Sequence, residues 1–186
     1  MLRYFSLLLL TLSLVGCSVK SSALSSSNVK RLSQALQSLD ANIPQQEADY
    51  LAWDIYHKSE ELIESYALVS PPQFHNFLVN TGVKEKGLCY HFSDALYSHL
   101  KSQRYENFDF HLVGANIGEY WSEHNALVVA AKGCRSDACI LNNGILIDAW
   151  RNSGEVYYCS VSEDSSYRWK HRSDRCKTVL REGALK

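Results

Sequence analysis

The sequence predicts an α+β domain in which helices come first and an antiparallel sheet follows. Apolar residues repeat at helical spacing up to about residue 100, and strand-like apolar stretches separated by Gly- and Asn-rich turns come after it. Helices followed by strands are typical of α+β folds, whereas parallel α/β folds alternate the two. We therefore expect a helix that carries Cys89 to pack on the sheet.

Residues 29–82 are predicted to form three helices. Leucines at helical spacing mark the first helix, and Pro44 is placed to begin the second. Pro71 and Pro72 interrupt the pattern, and a short third helix is expected to end near Gly82. The apolar residues that set these spacings are Leu32, Leu36, Leu39, Tyr50, Trp53, Tyr56, Leu62, Phe74, Phe77 and Leu78.

A fourth helix is predicted to carry a cysteine in its first turn. Cys89, Phe92, Leu96 and Leu100 are spaced by three or four residues and so share one helix face. Gly87 lies just before this helix.

Strand patterns then follow at residues 108–115, 125–131, 145–151 and 156–161. The turn Asn152-Ser153-Gly154 joins the last two and predicts a hairpin.

Composition excludes two broad classes of protein. The chain is 46% hydrophobic, which supplies a core and argues against a mostly disordered protein. Its 19 Lys and Arg residues against 20 Asp and Glu residues leave a net charge of -1. Without a basic excess, we do not expect a nucleic acid partner.

The N-terminus is typical of an exported lipoprotein. Residues 1–16 hold one charge, Arg3, and an apolar stretch too short to span a bilayer, which predicts a signal peptide. The sequence Leu-Val-Gly-Cys at its end resembles a bacterial lipobox and predicts lipid attachment at Cys17. Ser18 is not acidic, which by resemblance to lipoprotein sorting indicates the outer membrane.

The remainder is expected to be a tether and one domain. The segment 17–28 is serine-rich and predicts a flexible tether from the membrane. Residues 29–186 are assigned to a single α+β domain, with a helical part at 29–82 and a core at 86–161.

Six cysteines in an exported protein favour disulfides. Cys134 and Cys139 bracket a short predicted loop between two strands, where a local bridge is easy to form. A bridge from Cys159 to Cys176 would anchor the polar C-terminal segment. With Cys17 assigned to lipid, Cys89 is left as a lone thiol. A zinc site is the alternative, but the spacing lacks a second short-spaced pair, and no metal or other cofactor is expected.

Three residues have the chemistry of a thiol enzyme. Cys89 is placed at a helix N-terminus, where unpaired amides and the helix dipole favour a thiolate and could stabilise an oxyanion. His124 lies at the start of an apolar strand, and Asp148 is a carboxylate within another, where burial requires a partner. Taken singly, each is more simply a structural residue: a buried cysteine, a core histidine, or an aspartate paired with Arg151. The combination favours catalysis.

This pattern resembles the transglutaminase-like branch of the papain-like cysteine fold. The resemblance rests on Gly87-Leu88-Cys89 opening a helix, His124 beginning a strand, and Asp148 followed by Ala149-Trp150. It implies that Cys89 is the nucleophile, His124 the general base and acid, and Asp148 the residue that orients His124. At the position of Asn125 the family often has an aromatic residue. We also expect Trp150 to line the substrate groove.

The sequence therefore predicts a cell-envelope thiol enzyme that acts on amide bonds through an acyl-enzyme, with a peptide, protein or peptidoglycan stem peptide as substrate. One alternative is an NlpC-type cell-wall endopeptidase. Another is a non-catalytic lipoprotein that uses the fold to bind a partner protein. His111 is a reserve candidate for the base, whereas His91 and His99 are expected to be structural or solvated.

Overall fold

The structure is a computed structural model, and it describes residues 25–119 and 121–172. Helices occupy most of the first half of this range. Their bounds are α1 Ser26–Gln37, α2 Gln45–Ser65, α3 Pro72–Asn80, α4 Cys89–Ser102 and, between two strands, α5 Asp137–Asn143. None of the helices in these two ranges combines the length and the apolar character that crossing a membrane requires.

The second half forms a five-stranded antiparallel sheet in the order β4-β3-β2-β1-β5. The strands are β1 Phe108–Ala115, β2 His124–Ala131, β3 Ile145–Asn152, β4 Glu155–Ser160 and β5 Lys170–His171. In the β1–β2 pair Ala115 is opposite His124, so the C-terminal end of β1 and the N-terminal end of β2 lie side by side. The molecule is thus α+β, in agreement with the predicted class.

Both faces of the sheet are covered. On one face α4 packs with α1 and α2 around an apolar core that includes Phe92, Leu96, Leu127 and Ile147. On the other face α5 packs against the sheet together with Trp169. Side chains alternate between the two faces along a strand, so Leu127 and Val129 of β2 point toward α4 while Ala126, Val128 and Ala130 point away.

The predicted hairpin between β3 and β4 is present. Ser153 and Gly154 both have positive φ, of 55° and 98°, and Asn152 is opposite Glu155. Such a turn follows the right-handed twist of the flanking strands. Gly154 also lies against Ile63 of α2 at a distance that leaves no room for a Cβ atom, which ties the hairpin to the helical layer.

Three predicted boundaries differ from the structure. Helix α1 begins at Ser26, inside the predicted tether 17–28, because the Ser25 side chain accepts the Asn28 N–H and caps it. The rest of that tether and the signal peptide lie outside the described residues. The predicted loop between Cys134 and Cys139 is in part helix α5, capped by Ser136. The predicted core ended at residue 161, but residues 162–172 continue across the sheet and reach the candidate site described next.

Candidate active site

A glycine turn places Cys89 at the first position of α4. Gly87 has φ +120°, and its Cα lies against the His75 ring so closely that a Cβ atom would overlap the ring. His75 is fully buried, with Nδ1 accepting the Val69 N–H and Nε2 donating to the Lys86 carbonyl oxygen. The backbone before Cys89 is therefore fixed by contacts with a histidine of α3.

A second histidine holds the same turn from inside α4. His91 Nδ1 accepts the N–H groups of Gly87 and Leu88, at 3.1 Å each. These two amides belong to the helix start, where backbone donors lack partners within the helix. His91 is thus structural, one of the two roles expected for it.

His124 and Asp148 form a buried hydrogen-bonded pair. His124 Nε2 donates to Asp148 Oδ2 at 2.6 Å, and each residue is 2% exposed. They meet because His124 begins β2 and Asp148 lies on the adjacent strand β3. The arrangement leaves Nδ1 of the imidazole for a different partner.

Every acceptor position of the Asp148 carboxylate is used. Oδ2 also accepts from Arg151 Nε at 3.0 Å, and Oδ1 accepts the N–H groups of Trp150 and Arg151 at 3.0 Å each. These amides can turn toward the carboxylate because the pairing of β3 with β4 is irregular between Asp148 and Asn152. Four donors thereby compensate the burial of the charge.

Arg151 connects this carboxylate to a second one. Its Nη2 lies 2.7 Å from Asp164 Oδ2, and its guanidinium stacks on Tyr157 and Tyr167, at 4.2 and 4.9 Å from the ring centres. Asp148 therefore pairs with Arg151, as the structural alternative expected, and with His124 at the same time. Held between two aspartates and two rings, Arg151 keeps Asp148 in place.

The pair has opposite pKa shifts. Burial alone would lower the pKa of His124, but hydrogen bonds with Asp148 and Cys89 outweigh it and raise that pKa to about 9. Burial opposes ionisation of Asp148, yet its hydrogen bond with His124 and the charges of His124 and Arg151 hold its pKa below the ordinary value. An imidazolium beside a carboxylate is therefore the favoured state at neutral pH.

Cys89 lies beside this pair. Its thiol is close enough to the His124 imidazole to help raise the pKa of that ring, whose Nε2 is occupied by Asp148. Cys89 Sγ also lies 3.9 Å from Asn125 Nδ2 and 4.0 Å from the Glu123 carbonyl oxygen. The thiol is 7% exposed. The structure thus brings Cys89, His124 and Asp148 close together, and their role as a catalytic triad stays a prediction.

Three aromatic rings surround the imidazole. The centres of Trp150, Tyr167 and Trp169 lie 5.1, 4.6 and 5.5 Å from the centre of the His124 ring. The Trp150 indole N–H donates to Asn76 of α3, and the Trp169 indole N–H donates to Asp164. These rings keep water from the His124–Asp148 bond. That Trp150 also contacts substrate stays a prediction.

Sequence reasoning missed the contribution of the C-terminal segment. Four side chains of this segment reach the site, although the segment is polar and its hydrophobicity has no periodicity. They are Asp164, Tyr167, Trp169 and Arg172. The alternation of Tyr167 and Trp169 was the one available signal. Asn125 was noted only as a departure from the family pattern.

Other candidate residues lie elsewhere. His111 is opposite Val128, four residues along β2 from His124, and therefore about 14 Å along the strand from the site at ~3.4 Å per residue. Its Nε2 is buried without a hydrogen-bond partner in the described structure. His99 pairs with Asp54 at the other end of α4. His111 is thus not the base of this site.

The remaining cysteines are only partly described. Cys134 and Cys139 form a disulfide. Cys159 makes none within residues 25–119 and 121–172, and burial raises the pKa of its thiol. Cys17 and Cys176 lie outside the described residues, so lipidation at Cys17 and the Cys159–Cys176 bridge stay predictions. Among described side chains, no cluster of three or more histidine, cysteine or acidic residues is placed to hold a metal ion.

Comparison with known proteins adds no family to this geometry. No protein-family model matches the sequence, and neither the curated proteins nor the solved structures give a match. Functional inference therefore rests on the residues and contacts described above.

Proposed function

We propose that the protein is a thiol enzyme that acts on amide bonds through an acyl-enzyme at Cys89. The observation that carries the proposal is that the buried His124 imidazole bonds to the Asp148 carboxylate and interacts with Cys89, whose sulfur lies 4.0 Å from the Glu123 carbonyl oxygen and 3.9 Å from Asn125 Nδ2, on either side of His124 in the chain. A thiol becomes a strong nucleophile when an adjacent base takes its proton, and a third group keeps that base oriented. Asp148 itself is held by three further donors, so it can orient the imidazole.

In the proposed reaction the proton of the Cys89 thiol resides on His124, so that a thiolate faces the protonated imidazole that the raised pKa of His124 favours at neutral pH. The Cys89 thiolate forms a bond to the carbonyl carbon, and the carbonyl electron pair moves to oxygen. His124 then gives its proton to the leaving amine as the carbon–nitrogen bond breaks, which leaves a thioester on Cys89. Water resolves the thioester in a hydrolase and an amine resolves it in an acyl transferase.

We assign the protein to the transglutaminase-like branch of the papain-like cysteine fold as part of this proposal. The order Cys, His, Asp along the chain supports the assignment, as do the cysteine at a helix start and the other two residues on adjacent strands. Asp148-Ala149-Trp150 favours this branch over an NlpC-type endopeptidase, which usually has a second histidine or a polar residue in third place.

We further propose that the enzyme works in the cell envelope. The signal peptide predicted at residues 1–16 and the lipid predicted on Cys17 would hold it at the outer membrane, with the serine-rich segment as a spacer. Its substrate would then be a peptide, a protein or a peptidoglycan stem peptide. No nucleic acid partner is proposed.

The test is whether turnover of amide substrates depends on Cys89. Wild type and Cys89→Ala are incubated with purified peptidoglycan and with a mixture of unstructured peptides, with and without an added primary amine. Products are read by mass spectrometry. We expect amide cleavage or amine incorporation by wild type alone. Cleavage confined to peptidoglycan would favour the endopeptidase alternative.

The non-catalytic alternative rests on the low exposure of Cys89, since a cysteine that is 7% exposed resembles a structural one. It predicts that Cys89→Ala retains every function of the protein in the cell. If that variant fully complements a deletion while His124→Ala and Asp148→Asn do so too, the enzyme proposal is wrong.

A further inference from the structure

The side chain of Asn125 faces the thiol from β2. Asn125 follows His124 on the strand, and alternation turns its side chain toward α4, where Nδ2 lies 3.9 Å from Cys89 Sγ. The residue is 2% exposed. A buried amide has two donors and two acceptor sites to satisfy, so its orientation is fixed by its other partners.

Those partners aim the amide nitrogen at Cys89. Asn125 Oδ1 accepts from Arg172 Nη1 at 2.8 Å, which excludes the flipped orientation because Arg172 has no acceptor. One hydrogen of Nδ2 goes to Glu123 Oε1 at 3.1 Å. The second hydrogen is the one on the Cys89 side.

Arg172 is itself anchored. Its side chain is 3% exposed, Nη2 pairs with Asp94 of α4, and its backbone N–H donates to the Leu112 carbonyl oxygen at 2.8 Å. The residue directly follows β5. A chain of contacts therefore runs from Asp94 through Arg172 to Asn125 and ends at the sulfur atom.

We propose that Asn125 Nδ2 donates to the oxyanion that forms during acylation of Cys89, and that Arg172 is a positioning residue for it. The inference rests on the proposed function and extends it. An oxyanion donor must lie about 2.7–3.1 Å from the developing charge rather than from the sulfur. A donor 3.9 Å from Sγ leaves space for that oxygen beside the attacked carbon.

A pair of reactions separates this role from other effects on the thiol. p-Nitrophenyl acetate acylates Cys89: the sulfur bonds to the carbonyl carbon, the electron pair shifts to oxygen, and p-nitrophenolate leaves as that pair returns. Iodoacetamide alkylates the same sulfur by direct displacement of iodide, so no oxyanion forms. The ratio of the two rates isolates oxyanion stabilisation from thiol reactivity.

The experiment uses the full chain in detergent. Acylation is followed by the p-nitrophenolate burst with the Cys89→Ala burst subtracted. Alkylation is followed by mass spectrometry of the tryptic peptide 87–101, in which Cys89 is the single cysteine. We expect Asn125→Ala to lower the acylation rate by about 10²-fold, the loss typical of one oxyanion donor, while alkylation changes less than about twofold.

Arg172→Met provides a second variant in case Asn125→Ala does not fold. This variant keeps the Asn125 amide but removes the arginine that orients it, so we expect acylation to fall about tenfold while alkylation is unchanged. Asn143→Ala is the matched control, because Asn143 Nδ2 also lies near a sulfur atom, 3.8 Å from Cys139 Sγ of the disulfide. We expect this variant to change neither rate.

Three outcomes overturn the inference. If both variants keep the ratio of acylation to alkylation within twofold of wild type, Asn125 does not bind the oxyanion. If Asn125→Ala slows both reactions equally, the amide acts on the thiolate instead. A wild type with no Cys89-dependent burst but normal alkylation would contradict the proposed function and this inference with it.

Discussion

Within the described residues α4 reaches two close histidine–aspartate pairs, one of them buried and the other partly buried. At its N-terminal end Cys89 contacts His124, whose Nε2 lies 2.6 Å from Asp148. At its C-terminal end His99 Nε2 lies 2.7 Å from Asp54 Oδ1. The two hydrogen bonds are nearly equal in length, so length does not separate a candidate catalytic pair from a structural one.

The surroundings of the two pairs differ. Asp54 accepts its second hydrogen bond from the Tyr105 hydroxyl, and the side chain of His99 is 25% exposed. His124 is shielded by three rings and interacts with the Cys89 thiol, while Asp148 also accepts a hydrogen bond from Arg151. A histidine–aspartate pair thus becomes a candidate site when a nucleophile completes it, and the Asp54 pair serves as a control within the same chain.

The largest difference is expected on removal of the imidazoles. His124→Ala should lower Cys89-dependent acylation by p-nitrophenyl acetate by about 10²–10⁴-fold, the usual contribution of a general base. His99→Ala should leave it within about twofold. The p-nitrophenolate burst measures both. Equal losses would mean that the two pairs do not differ in function.

Replacing the aspartate of each pair by asparagine should again affect acylation at one pair and not at the other. Asp148→Asn should slow acylation by about 10²-fold, because the imidazole loses its orienting acceptor. The same change should cost about 3 kcal/mol of unfolding free energy, because Arg151 loses one of its two carboxylate partners. Asp54→Asn should cost about 1–3 kcal/mol with little change in acylation. Urea unfolding and the burst assay check both statements.

The turn before Cys89 offers a further contrast between two glycines. Gly87→Ala meets the His75 ring and an unfavourable φ, so we expect a loss of about 3 kcal/mol together with slower acylation. Gly82 also has a positive φ, of +77°, but open space around it, so we expect Gly82→Ala to lose about 1 kcal/mol of unfolding free energy and to keep normal acylation. Equal losses in the two variants would show that the His75 contact does not position Cys89.

The smallest expected effect concerns pH and stability. The pKa of His124 is raised from 6.5 to about 9 in the folded protein, so its contribution is fully present below pH 6.5 and is lost as pH rises through about 9. The Asp148 contribution has the opposite sign, being lost in acid because its pKa is lowered.

Urea unfolding of wild type and His124→Ala at about pH 6 and about pH 10 tests the first statement. The stability advantage of wild type should be larger at the lower pH. An advantage that is the same at both pH values would show that the pKa of His124 is not raised.

Much of the fold could be predicted from the sequence because its signals are local. The limits of β1 agree, and those of the other three predicted strands differ by one residue, since apolar strands bounded by turn residues are short and distinct. Helix α5 was missed because seven residues hold fewer than two full turns of periodicity. The three candidate residues could be named from the sequence because each carries unusual chemistry for its position.

What surrounds the triad could not be predicted in this way. Arg172 meets Asp94 and Asn125 across 78 and 47 residues of chain, and no local pattern records such a meeting. Tyr167 and Trp169 lie in a segment whose polar composition is typical of a solvated tail. Contacts of this kind depend on the folded sheet, in which β5 brings the C-terminal segment beside β1.

The measurement that tests the central claim most directly is the pH dependence of Cys89 alkylation by iodoacetamide, read on the tryptic peptide 87–101 in wild type and His124→Ala. We predict that wild type still reacts at a high rate far below about 8.5, the pKa of an ordinary cysteine thiol, and that His124→Ala loses this reactivity. A wild-type profile that follows an ordinary thiol, or labelling that appears only after unfolding, would contradict the claim that Cys89 and His124 act as one catalytic unit.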